Sequence, residues 1–501
     1  MMANISCPLK KNARLVPNSL AIIEGNSHIT YAQLDGLVDN CVDYLKRKGV
    51  KPSNRIGIVS ANNLQYIVLL LAAWRIKAMA CLLNTRLPKG ALQKQIRNLS
   101  CRVIASPKGE AIFYQKIASS PFACLPAGRA PRNDTRVDLN QPATIMFTSG
   151  STGEPKAALH SYGNHYYSAL GSNEHIPLKS GDRWLLTLPL YHVGGLSIIF
   201  RTLLARATLV VANPKKTLQQ NLTDYKITHC SCVTTQLYRL LQSKYRPAKN
   251  LKAMLIGGSA INDTLIHDAI KRKFPLYVSY GMTEMSSQIA TSQKLTRVNP
   301  KPKVRVLRYR RLKISKESEI LVKGKTLFQG YVDLVSTRIK RSNLDAQRHP
   351  ERSEGSHTYV ILRRFAPPWP ATYNFTCQGR QDDFSRFPRN DIRHIDKHGW
   401  FYTKDRGNYS KVSGLQVLGR QDRMFISGGE NIQPEEIERC LCQIKGITQA
   451  IVIGKPHREF GFRPVAFIQT STDRLLTSKI RHYLAQRLPR FKIPDHFYKY
   501  R

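Results

Sequence analysis

At 501 residues the chain is longer than the roughly 250–300 residues at which a single hydrophobic core stops growing, so two or more domains are expected. A hydrophobic content of 42% with 9% aromatic residues excludes a largely disordered polymer. Lys and Arg outnumber Asp and Glu by 78 to 33, a net charge of +45 that calls for anionic partners, with nucleic acid and acidic membrane surfaces among the candidates.

The opening "MMANISCPLKKNARLVPNSL" has no apolar core of signal-peptide length. Thr30 reads as an N-cap; Leu34, Leu37, Val38, Cys41, Val42 and Leu45 then share one face and Gly49 supplies a stop, which predicts an amphipathic helix. The strand "RIGIVS" follows, then a helix near 63–79. That helix includes the most apolar stretch, "YIVLLLAAWRIKAMACLL", which Arg75 and Lys77 interrupt, so no membrane insertion and a cytoplasmic location are expected. Helices near 194–205, 234–243 and 262–273 alternate with the β-rich runs "WLLTLP", "TLVVA", "AMLIGG" and "LYVSYG". The plan is α/β, with mostly parallel sheets flanked by helices.

The densest basic run, "KPKVRVLRYRRLK" at 301–313, alternates with apolar residues like an exposed strand. Other basic residues are spread along the chain, so no specific nucleic-acid binding is expected. From about 336 to 390 neither helical nor strand periodicity holds and prolines cluster, as in an inserted, loosely ordered segment. After "GLQVLGRQDR" a smaller α+β unit begins. Pro434 opens a helix whose Glu435 and Glu436 suit its dipole, and Ile437, Cys440, Leu441 and Ile444 face inward. The expected division is a large unit over 1–419 and a small mobile lid over 420–501. Ten cysteines show no zinc spacing and read as reduced, mostly buried thiols.

Ligands of open α/β sheets gather at the carboxyl ends of strands, where "FTSGSTG", "LPLYHVGG", "LIGGSA" and "SYGMTE" all lie. "FTSGSTGEPKA" lacks the spacing of the common phosphate loop: Gly150 and Gly153 are three apart and Pro155 precedes Lys156. Its chemistry suits an oxyanion all the same, because glycines let backbone N–H groups turn inward while hydroxyls and one ammonium wrap phosphate oxygens. A solvated surface turn has the same composition.

Taken in order, "FTSGSTGEPKA", "PLYHVGG", "SYGMTE", "WFYTKDRG" and "GRQDRMFISGGENIQPEEIE" resemble the successive motifs of the adenylate-forming, AMP-binding superfamily of acyl-CoA synthetases, peptide-synthetase adenylation domains and luciferases. "PKAALHSYGNHYYSA", "HCSCVTTQLYRLL" and "SGGENIQPEEIERCL" are most similar to its 2-succinylbenzoate–CoA ligase branch, which serves menaquinone biosynthesis. The resemblance implies an acid–thiol ligase that uses ATP, Mg²⁺ and coenzyme A on a small carboxylic acid, and it leaves a homo-oligomer open. By the same resemblance, Thr148, Ser149, Gly150, Ser151, Thr152, Gly153 and Lys156 close over the β- and γ-phosphates. Glu284 is the metal ligand, with Thr283 beside the α-phosphate, Tyr280 near adenine, and Gly257 and Gly258 around it. Asp405 accepts the ribose hydroxyls with Arg420 beside it. Lys404 stands where many relatives have glycine. His192 contacts the acid and gates the thiol, Asp422 is the hinge, and Arg201 is the candidate partner of a second substrate carboxylate, since a guanidinium meets a carboxylate bidentately.

Two alternatives stay open at this point: another aryl or fatty acid on the same machinery, and an impaired or purely nucleotide-binding relative. The second arises because relatives continue past "LPRFKIP" through a Gly-Lys motif that assists adenylation, whereas this sequence reaches Arg501 first, so weak adenylation is expected.

Overall fold

The computed structural model describes residues 4–99, 101, 103–105, 136–148, 155–259, 261, 263–332, 395–470 and 477–499. The expected insertion at 336–390 lies outside the described residues, as do Ser149, Gly150, Ser151, Thr152 and Gly153.

Local signals set the helices. Thr30 caps helix Tyr31–Arg47 through a reciprocal capping box with Gln33, and the predicted apolar face is buried. Asn63 caps helix Leu64–Arg75, which is buried around its whole circumference. This helix is shorter than the predicted 63–79, because the apolar run continues straight into strand Met79–Leu82 and hides the change of structure. At its end Arg75 reaches Asp35 at 2.5 Å and Asp39 at 2.6 Å, so the charge that interrupts the apolar run is paired within the fold. No helix among the described residues is long and apolar enough to cross a membrane.

Among the described residues the largest sheet has 13 strands. Its parallel centre consists of Leu20–Glu24, Thr208–Val211, Arg183–Leu186, His229–Cys232, Ala253–Ile256 and Leu276–Met282. From Leu276–Met282 the sheet continues antiparallel through Ser287–Ser292, Val304–Val306, Gly414–Arg420, Phe401–Ser410, Glu319–Gly324 and Arg310–Ile314. A second, six-stranded sheet has parallel strands Val103–Ala105, Arg55–Ile58, Met79–Leu82 and Pro142–Thr148, with antiparallel Lys156–Ser161 and Gly330–Val332 at its edge. Helices Leu64–Arg75 and Val193–Ala205 contribute to the core cluster beside these sheets through Leu70, Trp74, Ile198 and Phe200.

The C-terminal residues build a five-stranded sheet with helices Pro434–Cys442 and Thr477–Ala485 and a hydrophobic cluster of their own around Ile437, Leu441, Val452 and Leu484. The basic run at 301–313 forms strands as predicted but is not uniformly exposed. Arg310 is only 6% exposed, because its guanidinium turns inward onto backbone carbonyls. The eight cysteines among the described residues are free thiols, and five of them are buried.

Candidate active site

Thr148 and Lys156 are register partners at the stems of a hairpin that brackets the glycine loop. The Lys156 ammonium sits 4.9 Å from the centre of the Tyr331 ring, and the Tyr331 hydroxyl donates to Glu284 Oε1 at 2.6 Å. Glu284 lies on a 3₁₀ turn, Thr283–Met285, immediately after strand Leu276–Met282. Its carbonyl accepts from the Phe328 N–H at 2.8 Å. Burial pushes the Glu284 carboxyl up, and the Tyr331 hydrogen bond opposes this only in part. His160 Nε2 lies 2.7 Å from the Thr283 carbonyl. Since a carbonyl only accepts, the imidazole carries its proton on Nε2. Burial holds His160 down to about 4, so it is neutral at physiological pH. His160 and Tyr331, both on the six-stranded sheet, thus fix the turn that ends a central strand of the larger one.

Among the described residues no group of three or more His, Cys, Asp or Glu side chains converges as a metal cage. Glu284 alone is a hard oxygen donor, which fits magnesium, an ion that takes one or two carboxylates and completes its shell with phosphate and water.

The residues expected at the adenosine are brought together by strand pairing that sets Asp405 opposite Arg420. Tyr280 donates to Asp405 Oδ2 at 2.6 Å and Arg420 Nη1 to Oδ1 at 2.9 Å. The other side of the Arg420 fork grips Asp422, with Nε to Oδ1 at 2.6 Å and Nη2 to Oδ2 at 2.8 Å. Burial pushes Asp405 up, with Arg420 and Tyr280 opposing. Gly257 and Gly258 follow strand Ala253–Ile256, and a Cβ on Gly257 would stand 2.7 Å from Ser279 Oγ, next to Tyr280.

His192, expected at the acid, occupies the N-cap of helix Val193–Ala205. Its Nε2 is 3.1 Å from Glu430 Oε2, a carboxylate of the C-terminal unit, and Arg86 Nη1 donates to Glu430 Oε1 at 2.9 Å. Burial would raise Glu430, but His192, Arg86 and Lys492 outweigh it and hold the carboxyl below its usual range. The turn before Glu430 requires glycine twice over. Gly428 and Gly429 have φ of +60° and +87°, and a Cβ on Gly429 would lie 2.7 Å from Val233 Cγ1. Arg201 stands apart from the other predicted site residues. It is 1% exposed, donates to Gln288 Oε1 at 2.7 Å, and lies over the Trp184 ring at 5.1 Å.

Arg86, His160, Tyr331 and Glu430 received no role from the sequence. Glu430 stood inside a quoted motif. So did His160, in "PKAALHSYGNHYYSA", but no local signal gives any of the four its partner: 238 positions separate Glu430 from His192, 123 His160 from Thr283, 47 Tyr331 from Glu284 and 344 Arg86 from Glu430.

Residues 9–332 match the family described as AMP-binding enzyme, and 436–499 match AMP-binding enzyme C-terminal domain. The chain belongs to the AMP-binding enzyme family. A 2-succinylbenzoate–CoA ligase from Bacillus licheniformis is 27% identical, over 98% of this chain and 95% of its own. A double mutant of o-succinylbenzoate–CoA synthetase from Bacillus subtilis, bound to a product analogue, superposes with a TM-score of 0.78 at 24% identity, covering 99% of this chain and 95% of that one. The B. subtilis enzyme in complex with ATP and magnesium superposes at 0.64 with 24% identity, over 99% and 96% of the two chains.

Proposed function

We propose that this protein is an ATP-dependent acid–CoA ligase that works through an acyl-adenylate, and that its acid is 2-succinylbenzoate. The observation that carries the choice of acid is Arg201: a fully buried guanidinium with no carboxylate against it among the described residues, on the helix that His192 caps. A dicarboxylic acid supplies the missing anion. A monocarboxylate consumed at the α-phosphate leaves that cation unneutralised.

In the first step the acid's carboxylate attacks the α-phosphorus of ATP and pyrophosphate leaves. Attack of one anion on another needs cations and donors held in place, the role proposed for Lys156, Thr148, the glycine loop and the Thr283 turn. Magnesium, held by Glu284, offsets phosphate charge when bound. His160 and Tyr331 keep that turn rigid, and Asp405 with Tyr280 reads the ribose and adenine side. In the second step the coenzyme A thiol attacks the acyl carbon and AMP leaves. The proposed lid orientation for that step is the one in which Glu430 has reached His192 and Arg86, and Asp422 is the proposed hinge.

The test is product analysis by mass spectrometry after incubation with ATP, Mg²⁺, coenzyme A and a panel of aryl and alkyl acids, with acyl-adenylates supplied in parallel. Thioester from 2-succinylbenzoate in preference to benzoate-type monocarboxylates is the expected result. Preference for a monocarboxylate overturns the acid, and no thioester from any acid or adenylate overturns the ligase.

A further inference from the structure

Two guanidinium groups in the interior have no ion-pair partner among the described residues, and they meet on one residue. Arg201 Nη2 donates to the side-chain oxygen of Gln288 at 2.7 Å and to Ser287 Oγ at 3.3 Å, and its Nε is buried without a partner. Arg310 Nε donates to the backbone carbonyl of the same Gln288 at 2.8 Å. The rest of the Arg310 fork is spent on neutral oxygens: Nη1 on the Arg308 carbonyl at 2.8 Å, and Nη2 on the Ser168 carbonyl at 3.1 Å and hydroxyl at 3.0 Å. The Ser168 hydroxyl donates in turn to the Ser286 carbonyl at 2.5 Å. The Gln288 amide is held at both ends, since its nitrogen donates to Thr291 Oγ1 at 2.7 Å.

This is an expensive arrangement to keep for packing alone. A buried cation left without an anion is strongly unfavourable, and a second one nearby adds repulsion. Burial pushes each guanidinium down to about 9, and Arg310 feels the charge of Arg201. Helix Tyr162–His175 is shaped around Arg310: a Cβ on Gly171 would fall 2.4 Å from Nη1. Besides the Arg308 carbonyl, the acceptors of Arg310 lie on that helix and on strand Ser287–Ser292, so its planar fork ties the helix to the residue that orients Arg201.

We propose that Arg310 is a positioning residue for recognition of the acid: it clamps the Gln288 backbone, and the Gln288 amide then sets the rotation of the Arg201 fork toward the substrate's second carboxylate. The inference rests on the reading of Arg201 given above. It goes beyond it by naming a residue that touches no substrate yet decides how well a dicarboxylate is held.

The experiment is steady-state kinetics on the full chain for wild type, Arg310→Lys, Arg201→Ala and the double variant, with KM measured for 2-succinylbenzoate and for ATP. Arg310→Lys keeps the charge but loses the fork, and is expected to raise the acid KM about tenfold while the ATP KM moves less than about twofold, as for residues that orient a binding group. In the Arg201→Ala background the same change is expected to add less than about twofold, because the residue it orients is gone. Full multiplication of the two effects, or equal losses for acid and ATP, overturns the proposal and makes Arg310 purely structural. Gln288→Glu serves if Arg310→Lys does not fold. It places a carboxylate against the Arg201 fork, so Tm should rise while the acid KM rises about tenfold or more. A lower Tm with an unchanged acid KM overturns the proposal equally. Failure of the Arg201 reading looks different: wild type then shows no preference for a dicarboxylate and Arg201→Ala changes nothing.

Discussion

Glu284 is under two opposed demands. Holding a cation needs its carboxylate ionised, while burial makes ionisation unfavourable in the folded chain. Glu284→Gln keeps an acceptor for the Tyr331 hydroxyl and removes the charge, so weaker Mg·ATP binding, by about tenfold or more, is expected together with a higher Tm. The sign follows from linkage. With the folded pKa above the unfolded one, ionisation penalises the native state only above the ordinary carboxylate range, so the Tm advantage of the Gln variant is absent below that range and grows as pH rises from it through the folded pKa. Calorimetry from about pH 4 to about pH 8 checks this, and a constant advantage across that range would exclude the buried charge as its cause. Residue identities at this turn were legible from the ordered motifs, but their burial was not. Nor was that of Arg310, since "KPKVRVLRYRRLK" has the same alternation whether its cations face water or inward-pointing carbonyls.

At the scale of elements, caps and periodicity carried most of the information. The Thr30 box, the Pro434 helix start and the strand before "YGMTE" are all present, whereas the helix near 63–79 ran long because an unbroken apolar run cannot announce a switch to strand. Lys404 shows what a turn demands: its φ is +62°, a left-handed conformation that suits the glycine of many relatives, and its N–H is held by Glu319 Oε1 at 2.7 Å. Lys404→Gly is expected to be neutral or stabilising by up to about 1 kcal/mol, and Lys404→Val destabilising by about 1–2 kcal/mol, as measured by urea denaturation. Reversal of that order would mean the side chain, not the backbone, dominates. The Gly428–Gly429 turn makes a second demand. With Gly429 against Val233, Gly429→Ala should push Glu430 away from His192 and slow thioester formation from supplied acyl-adenylate about tenfold, with a smaller effect on adenylation. Equal slowing of both steps would point to misfolding of the turn instead. The Glu430 contact also has a pH sense. Its carboxyl is held below the usual range, so the contact's contribution is complete above that range and is lost as pH falls through the folded value.

For the molecule as a whole, the net charge of +45 predicts weak, sequence-blind DNA association that vanishes with added salt; retention on one specific duplex at physiological ionic strength, seen by fluorescence anisotropy, would reopen a nucleic-acid role. The parallel centre of the large sheet was legible from its alternating strands and helices. Its antiparallel extension was not, because strands Val304–Val306 and Gly414–Arg420 pair across more than a hundred positions and periodicity says nothing about partners. That extension carries Arg420, one guanidinium divided between Asp405 and Asp422. A ribose that claims Asp405, as proposed, would compete with Arg420 for the same oxygens and so alter the grip on Asp422, the proposed hinge. Reciprocity then makes the effect mutual: whatever free energy nucleotide binding contributes to releasing the C-terminal unit, the orientation of that unit returns as a change in nucleotide affinity. On those two proposed roles, one side chain would be enough to let this enzyme sense which half of its reaction cycle it occupies.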